Sequence, residues 1–297
     1  MTAFGRLLHV PPAVLAVNVP YALALAAVAL EVAWLARWPG PRRARVLADA
    51  RVGATMAAGA FVVGVIYTSL LRAEWNVVSG FAPASLGRMW HEAPALAGVV
   101  AFVAWDFAGW VYHVVGHRTR VGWAAHQPHH SGSDYDLTLG LRQSWMPFHG
   151  LLYQPLVALL GVDFATIAVC AAVSNCWQVL EHTSMPIAFP RWLSSIVMSP
   201  AAHRQHHAPD GGAANLGPVL TCWDRMAGTW VGLSAPSPGS CGPAERAPGS
   251  AIAIELAGWR ALARGLRRGP GRRPRGALVF LSGSDQLSVL RYPRSRR

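Results

Sequence analysis

The chain has 297 residues, of which 53% are hydrophobic and only 13% are charged. This composition is too apolar for an ordinary soluble domain and predicts a membrane protein. The formal charge of +12 comes entirely from arginine, because the sequence contains no lysine. A nucleic-acid-binding role would need a basic patch on a recognisable module with base-stacking aromatic residues, and the sequence contains no such module.

Three apolar stretches are long enough to cross a bilayer. The first, Pro11 to Trp38, carries two charged residues, and the second, Gly53 to Leu71, carries none. The third, Ala93 to Tyr112, carries only Asp106. A membrane helix needs roughly 20 mainly apolar residues, so each stretch predicts a span. The first lacks a strongly basic start and a small-residue cleavage site, which favours a retained span over a signal peptide.

The apolar region Phe148 to Leu180 has a different form. Two runs of about 13 and 17 residues, each short of the roughly 20 that a full crossing needs, meet at Gly161 to Asp163. We therefore expect a helical hairpin that enters and leaves from one side, with two tightly fitted spans as the alternative. Further on, residues 236–248 are rich in Gly, Pro and Ser and predict a linker. Residues 251–268 predict a short amphipathic helix.

The distribution of charge predicts an orientation. Five arginines against one aspartate lie between the first two spans, whereas the segment between the second and third spans is neutral. By the positive-inside rule, the first of these segments is cytoplasmic. The third span then returns to the cytoplasm, and the hairpin brings the chain back to the same side. The five arginines are Arg37, Arg42, Arg43, Arg45 and Arg51.

Histidines are concentrated in two short windows. Of the 12 histidines in the chain, five lie within residues 113–130 and three within residues 203–207. Residues three or four apart share one face of a helix, so each window can direct several imidazoles to one point. Imidazole is a common ligand of Fe, Zn, Cu and Ni, and eight imidazoles exceed what one ion can bind. The pattern therefore predicts a two-metal site. Solvated surface histidines are the alternative, but the repetition of an x2-His-His unit argues against them.

The local sequence also predicts how these histidines are presented. Ser199 is a suitable N-cap and Pro200 a suitable first-turn residue, so a helix is expected to begin there and carry the last cluster. Pro128 interrupts the middle cluster. His126 is therefore expected either just ahead of a helix that Pro128 opens or on a kinked helix.

Three histidine motifs occur in order, with a His-Thr pair between the last two, over about Ala104 to Trp230. They are WAAHQPHHS at 123–131 followed by DY at 134–135 and LRQS at 141–144, QVLEHT at 178–183, and HRQHH at 203–207 followed by NLG at 215–217 and WDR at 223–225. On these residues the chain resembles the fatty acid hydroxylase and sterol desaturase superfamily, and most closely its alkylglycerol monooxygenase branch. It departs from the pattern at Val114, where relatives usually carry Arg, at Leu216, where an aromatic is usual, and near Ser133, where the branch often has Glu.

The resemblance implies a membrane-bound oxidoreductase with two iron ions, which uses O2 to attack a C–H bond of a lipid such as a sterol, a fatty acyl chain or an alkylglycerol. The reductant would be external: tetrahydrobiopterin, or a ferredoxin or cytochrome. Candidates to hydrogen-bond the metal ligands are Asp106, Gln178, Asn215 and Asp224, and further Asp134, Asp136 and Glu181. The implied metal ligands are His113, His117, His126, His129, His130, His182, His203, His206 and His207.

We therefore expect an all-α integral membrane bundle of about three to five membrane helices, with a cytoplasm-facing helical cap that holds the histidines. Residues 1–92 would form the N-terminal membrane helices, 93–235 the catalytic domain, and 236–297 a linker and an Arg-rich tail. The expected location is a bacterial inner membrane. The competing hypotheses are a histidine-rich transporter of divalent metals (or a metal-binding protein without oxygenase activity) and a membrane cytochrome b. The first would place polar residues near the bilayer midplane, and the second would place single histidines on facing helices.

Overall fold

A computed structural model of the chain describes residues 12–37, 39–132, 134–208, 213–232 and 249–268. Within these residues the regular structure is helical, apart from an isolated antiparallel bridge between Val197 and Leu220. The all-α prediction is confirmed. The predicted linker at 236–248 and the Arg-rich end of the chain beyond residue 268 lie outside the described residues.

Three long apolar helices dominate the first part of the fold: α1 (Pro12–Ala36), α2 (Pro41–Ser79) and, after the short α3 (Ala84–Glu92), α4 (Pro94–Arg118). All three are long and apolar enough to cross a membrane, as predicted. Helix α2 differs from its prediction, because it has 39 residues instead of the 19 expected and extends for roughly 58 Å at about 1.5 Å per residue.

The extra length of α2 corrects the predicted loop between the first two spans. Pro41 stands in the first turn of α2, and the Arg-, Ala- and Leu-rich sequence after it favours a helix, so Arg42 to Arg51 lie on helical turns. Since the hydrocarbon core of a bilayer is about 30 Å thick, one end of α2 must project beyond it.

The region predicted to form a hairpin consists of two short arms, and its entry and exit on one side of the membrane stay a prediction. Its first arm is a pair of 3-10 segments, Phe148–Leu152 and Gln154–Leu160, and its second is α6 (Phe164–Leu180). Pro155 removes a backbone donor from the first arm, and its turns close by bonds from Tyr153 N to Gly150 O and from Leu156 N to Tyr153 O, at 3.2 and 3.1 Å. The Asp163 carboxylate caps α6 by accepting from Thr166 N at 2.9 Å.

Short helices carry the histidine motifs. Helix α5 (Arg120–His126) continues into a 3-10 turn at Gln127–His130 that Pro128 occupies, so His126 precedes the tighter turn. After α7 (Arg191–Ser194), α8 (Pro200–His206) begins at Pro200, and the Ser199 hydroxyl accepts from Ala202 N at 3.3 Å. The predicted start of α8 is confirmed. Helix α9 (Cys222–Ala227) follows.

The predicted amphipathic helix is α10 (Ala251–Arg268), and it packs against α5, the 3-10 turn after it and α2. Its Glu255 carboxylate is buried and accepts from the Ser144 hydroxyl at 2.9 Å. Gly258 allows the close approach, because a Cβ there would lie 2.7 Å from Ala124 Cα and 2.8 Å from Ala124 O. Residues 251–268 therefore pack against the segment that carries the middle histidine cluster.

Gly258→Ala is expected to weaken the packing of α10, since its new methyl group meets the backbone of α5. Gly265→Ala is the matched control: it makes the same change on the same helix, where a Cβ has open space. Both gain up to about 1 kcal/mol of helix propensity. We expect the melting temperature in detergent to fall for Gly258→Ala and to rise or stay level for Gly265→Ala. Equal changes in melting temperature for the two variants would contradict the close contact between Gly258 and α5.

Candidate metal centre

The nine histidines that the sequence singled out as ligands meet at one end of the bundle, although they come from four separate segments. In each of two groups, one ligand atom per residue lies within 4.8 Å of the others. The first group is His113, His117, His126, His130 and His206, and the second is His129, His182, His203 and His207.

The second group is the more compact. His182 Nε2 lies 3.2 Å from His129 Nε2, 3.2 Å from His207 Nε2 and 3.1 Å from His203 Nε2. His207 Nε2 lies 3.2 Å from His129 Nε2 and 3.1 Å from His203 Nε2. Four ring nitrogens therefore point at one small volume.

Backbone carbonyls fix the proton positions on three of the rings. His113 Nδ1 lies 2.8 Å from Leu216 O, and His206 Nδ1 lies 2.8 Å from Ala214 O. His182 Nδ1 lies 2.7 Å from Gln178 O. A carbonyl can only accept, so each Nδ1 carries the proton and each neutral ring presents a lone pair at Nε2. Yet His113 Nε2 and His206 Nε2 face each other at 3.1 Å, where two lone pairs repel unless a cation lies between them.

These distances fit metal ligation. With a metal–nitrogen bond of about 2.1 Å, two nitrogens on one ion lie about 3.0 to 3.4 Å apart. The observed contacts of 3.1 and 3.2 Å fall in that range. The two groups also adjoin, because the rings of His130 and His207 stack at 4.2 Å between centroids. The residues therefore fit two neighbouring metal ions.

Burial keeps the imidazoles neutral, which ligation requires. Desolvation lowers the pKa of His182 to about 4. It also lowers the pKa of six others well below their ordinary value, with neighbouring imidazoles adding to the effect. These six are His126, His129, His130, His203, His206 and His207.

A loop after α8 supplies two of the three carbonyls. Asn215, in this loop, has a left-handed φ of 54°, donates its amide to Ala202 O at 3.1 Å and accepts from Val231 N at 3.1 Å. Asp224 is buried and accepts from Gly217 N at 2.7 Å and from the Thr229 hydroxyl at 2.6 Å. Both side chains hold the loop in place around Leu216.

Asp106 anchors the next part of the same loop from within α4. Its carboxylate accepts from Val219 N at 3.0 Å, Leu220 N at 3.2 Å and Trp223 Nε1 at 2.8 Å. Gln178 uses its side chain to donate to Ser174, whereas its backbone carbonyl receives His182. The hydrogen bonds of Asp106, Gln178, Asn215 and Asp224 thus place these side chains one layer farther from the imidazoles than expected, with carbonyls in between.

Glu181 is the carboxyl group that lies against a candidate ligand. Its Oε2 is 3.5 Å from His203 Nδ1, and both atoms are buried without a hydrogen-bond partner. Burial raises the pKa of Glu181 well above its ordinary value, and the nearby Asp106 carboxylate raises it further. This contact lets Glu181 orient the His203 ring.

Glu31, in α1, supports the second group, a role that its sequence position did not suggest. Its Oε1 accepts from the Thr183 hydroxyl at 2.8 Å, Ser184 N at 2.8 Å and the Ser184 hydroxyl at 3.0 Å. Its Oε2 accepts from Leu137 N at 2.7 Å. Thr183 directly follows His182, so a single buried carboxylate fixes the chain beside that ligand.

Arg142 makes a comparable link between α2 and the middle motif. It is buried, pairs with Asp49 Oδ1 at 2.6 Å and donates to Ser131 O at 2.9 Å. Ser131 directly follows His130. The predicted candidates Asp134 and Asp136 lie nearby but bond elsewhere: Asp134 pairs with Arg45 at the surface, and Asp136 accepts from Thr138.

The fold and the two histidine groups define a helical protein with helices long and apolar enough to span a membrane and with candidate metal-binding groups, and comparisons with known proteins agree. Residues 98–229 match the family described as fatty acid hydroxylase. Alkylglycerol monooxygenases are similar to the chain over 44% of its length: 34% identical in Xenopus tropicalis, 33% in Homo sapiens and 32% in Danio rerio.

Residues 98–229 are therefore similar to the fatty acid hydroxylase family, and the predicted resemblance to the superfamily and its alkylglycerol monooxygenase branch is confirmed. The matched part covers only about 30% of the length of those relatives. No solved structure matches the chain.

Glu31→Gln is expected to destabilise the fold, because an amide nitrogen would face at least one of the donors that the carboxylate now accepts from. Leaving a buried donor unsatisfied costs about 1 to 3 kcal/mol. We expect a lower melting temperature in detergent and a lower metal content. Glu92→Gln, at an exposed position on α3, is the control. Unchanged behaviour of Glu31→Gln would contradict its supporting role.

Acidification is expected to empty the site. Because the folded pKa values of the buried histidines lie below the ordinary value of 6.5, the site is stable above that pH. Protonation then favours the open, metal-free chain as the pH falls below 6.5. Iron content after dialysis and melting temperature, both measured from pH 8 to pH 5, should drop together. Flat profiles would refute this expectation.

Proposed function

We propose that the protein is an iron-dependent lipid monooxygenase of the membrane. The observation that carries the proposal is the convergence of nine buried imidazole nitrogens in two adjoining groups, within a segment of the fatty acid hydroxylase family. Five histidines would hold one iron ion and four the other. Two ferrous ions bound there would supply electrons that activate O2 for attack on an unactivated C–H bond.

The overall reaction needs a reductant from outside the chain. One oxygen atom enters the C–H bond, and the other leaves as water, which consumes two electrons and two protons. The sequence has no haem-attachment, flavin, nicotinamide or iron–sulfur motif. We therefore propose a reduced pterin such as tetrahydrobiopterin, or a ferredoxin or cytochrome, as the electron donor. The site would face the cytoplasm, in keeping with the arginines at the start of α2.

The protein's own residues would position and protect this chemistry. The carbonyls of Ala214, Leu216 and Gln178 hold three imidazoles in one tautomer. Burial keeps the rings neutral and excludes bulk water. The lipid would approach sideways from the bilayer between the apolar helices. The names of the relatives favour an alkylglycerol ether as substrate, with sterols and fatty acyl chains as the other candidates.

A histidine-rich metal transporter is less well supported. Its ligands would line the spans near the bilayer midplane along a path for the ion. Here His113 and His117 lie in the last turns of α4, and the other seven lie on short segments outside the three long helices. Rings locked by backbone carbonyls suit a resident metal better than a passing one.

His129→Ala and His206→Ala, one from each group, are expected to abolish turnover and lower iron content to about half or less. Membrane insertion should be retained, because neither residue lies in a long apolar helix. His91→Ala, exposed on α3, is the control. Turnover is measured as O2-dependent product from alkylglycerol, sterol or fatty acid in reconstituted membranes. Full activity of either site variant would reject the ligand assignment.

A further inference from the structure

Helix α10 has one packed side and one exposed side. On the packed side, Ala251 and Ile254 form a buried cluster with Met56 of α2, and Gly258 lies against Ala124 of α5. These contacts fix the orientation of the helix about its own axis. The other side of α10 is exposed and faces the surroundings of the bundle.

Two edges run along the exposed side, one apolar and one basic. With about 100° between successive residues of a helix, Ile252, Ala263 and Leu266 fall within a sector of about 60°, and these three residues define the apolar edge. Arg260 and Arg264, four residues apart and both exposed, define the basic edge beside it. Ile252 is 61% exposed and Leu266 is 69% exposed. A helix divided in this way is typical of helices that lie in the plane of a bilayer interface.

The contact with α2 sets the level of α10 along the bundle. Val52 and Met56 of α2, which pack with Ala251 and Ile254, stand where the arginine-rich start of α2 passes into the charge-free stretch 53–71. In a helix that crosses a membrane, such a change marks the boundary between the head groups and the hydrocarbon core. The first turns of α10 therefore lie at the level of the lipid head groups.

Exposed arginines on neighbouring elements add positive charge at this end of the bundle. Arg51 lies on α2, Arg118 in the last turn of α4 and Arg120 in the first turn of α5. The partly exposed Asp134 is paired with Arg45. The surface around α10 is therefore positive and favours an anionic partner.

Exposed carboxylates lie at the opposite end of the bundle. Among the residues that the structure describes, the exposed acidic residues are Glu92 and Asp163. Glu92 lies just before α4, whose 25 residues extend for roughly 37 Å to its histidine-bearing end. Asp163 lies between the two short arms, where a Cβ on Gly161 would be 3.2 Å from Leu86 Cβ of α3. Charge is therefore separated along the bundle, and α10 lies at the positive end.

The pairing of the two edges favours a lipid surface over a soluble acidic partner. The apolar edge needs apolar contacts, and the basic edge needs anionic acceptors; a bilayer interface supplies both at one level. Guanidinium groups keep their charge and bind phosphate oxygens through two parallel hydrogen bonds. Anionic phospholipids add a negative surface potential that zwitterionic phospholipids lack.

We propose that α10 is an interfacial helix that binds anionic phospholipids. Arg260 and Arg264 contact the phosphate groups, and Ile252 and Leu266 lie among the upper parts of the acyl chains. Because α10 packs on α5, which carries His126, bound lipid also stabilises the segment with the middle histidine cluster. The inference goes beyond the proposed function, since it concerns the lipid that supports the fold and not a lipid that is oxidised.

Hydrogen exchange of the full-length protein in nanodiscs tests the proposal. Amides of residues 251–266 should exchange roughly 30-fold more slowly in a 7:3 mixture of phosphatidylcholine and phosphatidylglycerol than in phosphatidylcholine alone. This factor combines roughly 5-fold, or about 1 kcal/mol, from each of two arginines near an anionic surface. Arg260→Gln/Arg264→Gln should reduce the difference between the lipids at least 5-fold, and glutamine keeps the helix propensity.

Arg72→Gln/Arg88→Gln is the matched control, because it removes two exposed arginines from α2 and α3 at the other end of the bundle. It should keep the full difference between the lipids. In 1 M NaCl, where charges are screened over about 3 Å, the difference should shrink in the wild type. Ile252→Gln/Leu266→Gln should speed the exchange of α10 at least 5-fold in both lipids, since acyl chains are present in both.

Equal exchange of α10 in the two lipids, or an unchanged difference in Arg260→Gln/Arg264→Gln, would overturn the proposal. Soluble polyglutamate added to phosphatidylcholine nanodiscs provides the competing test. If it slows exchange as much as phosphatidylglycerol does, the basic edge is a surface for an acidic protein and the lipid assignment is wrong. These measurements need neither bound iron nor turnover, so they stand apart from any failure of the oxygenase assignment.

Discussion

The main constraint on this structure is that buried imidazole nitrogens face one another as hydrogen-bond acceptors, where their lone pairs repel. His113 and His206 each give their Nδ1 proton to a backbone carbonyl, so their Nε2 atoms meet as two acceptors at 3.1 Å. Protonating one ring would relieve the contact, but burial disfavours the charge. A cation is the remaining source of stability. The surrounding segments hold these rings in place through hydrogen bonds to their backbone carbonyls.

The imidazole rings are held mainly by backbone carbonyls, and carboxylates that do not touch the rings hold those carbonyls in place. Carbonyls receive the imidazole protons, and Asp106, Asp224 and Asn215 hold the loop that carries two of those carbonyls. This division has a physical advantage. A carbonyl orients a ring without adding a negative charge beside the metal, so the net charge of the centre is set by its neutral histidines. Glu181 is different, because its carboxyl lies directly against His203.

The sequence was sufficient for the features that depend on short spacing. Histidines three or four apart, the Ser199 and Pro200 pair, and long apolar runs each determine local structure within a few turns, and all of these predictions agree with the fold. His182 could not be placed by spacing, because it stands alone in the sequence, and only the resemblance singled it out. Its contacts with His129 and His207 join residues that are 53 and 25 positions away.

Contacts between residues far apart in the sequence could not be predicted from spacing either. Glu31 and Thr183 are 152 residues apart, and hydropathy marks Glu31 only as a charge inside a span. The length of α2 was underestimated because arginines end an apolar run without ending a helix. Asp106 was a candidate to hydrogen-bond a metal ligand, but its carboxylate instead accepts from Val219 N and Trp223 Nε1.

The support of the candidate metal centre extends beyond the segment that matches the fatty acid hydroxylase family. Residues 98–229 contain all nine histidines, but Glu31 on α1, Asp49 on α2 and Glu255 on α10 lie outside it. Each is a buried carboxylate that bonds to the segment beside or beneath a histidine motif. In isolation, that segment would leave the Arg142 guanidinium without its carboxylate partner and two backbone donors, Leu137 N and Ser184 N, without their acceptor. The flanking helices therefore contribute buried contacts that shape the site, and the domain boundaries at residues 92 and 235 stay a prediction.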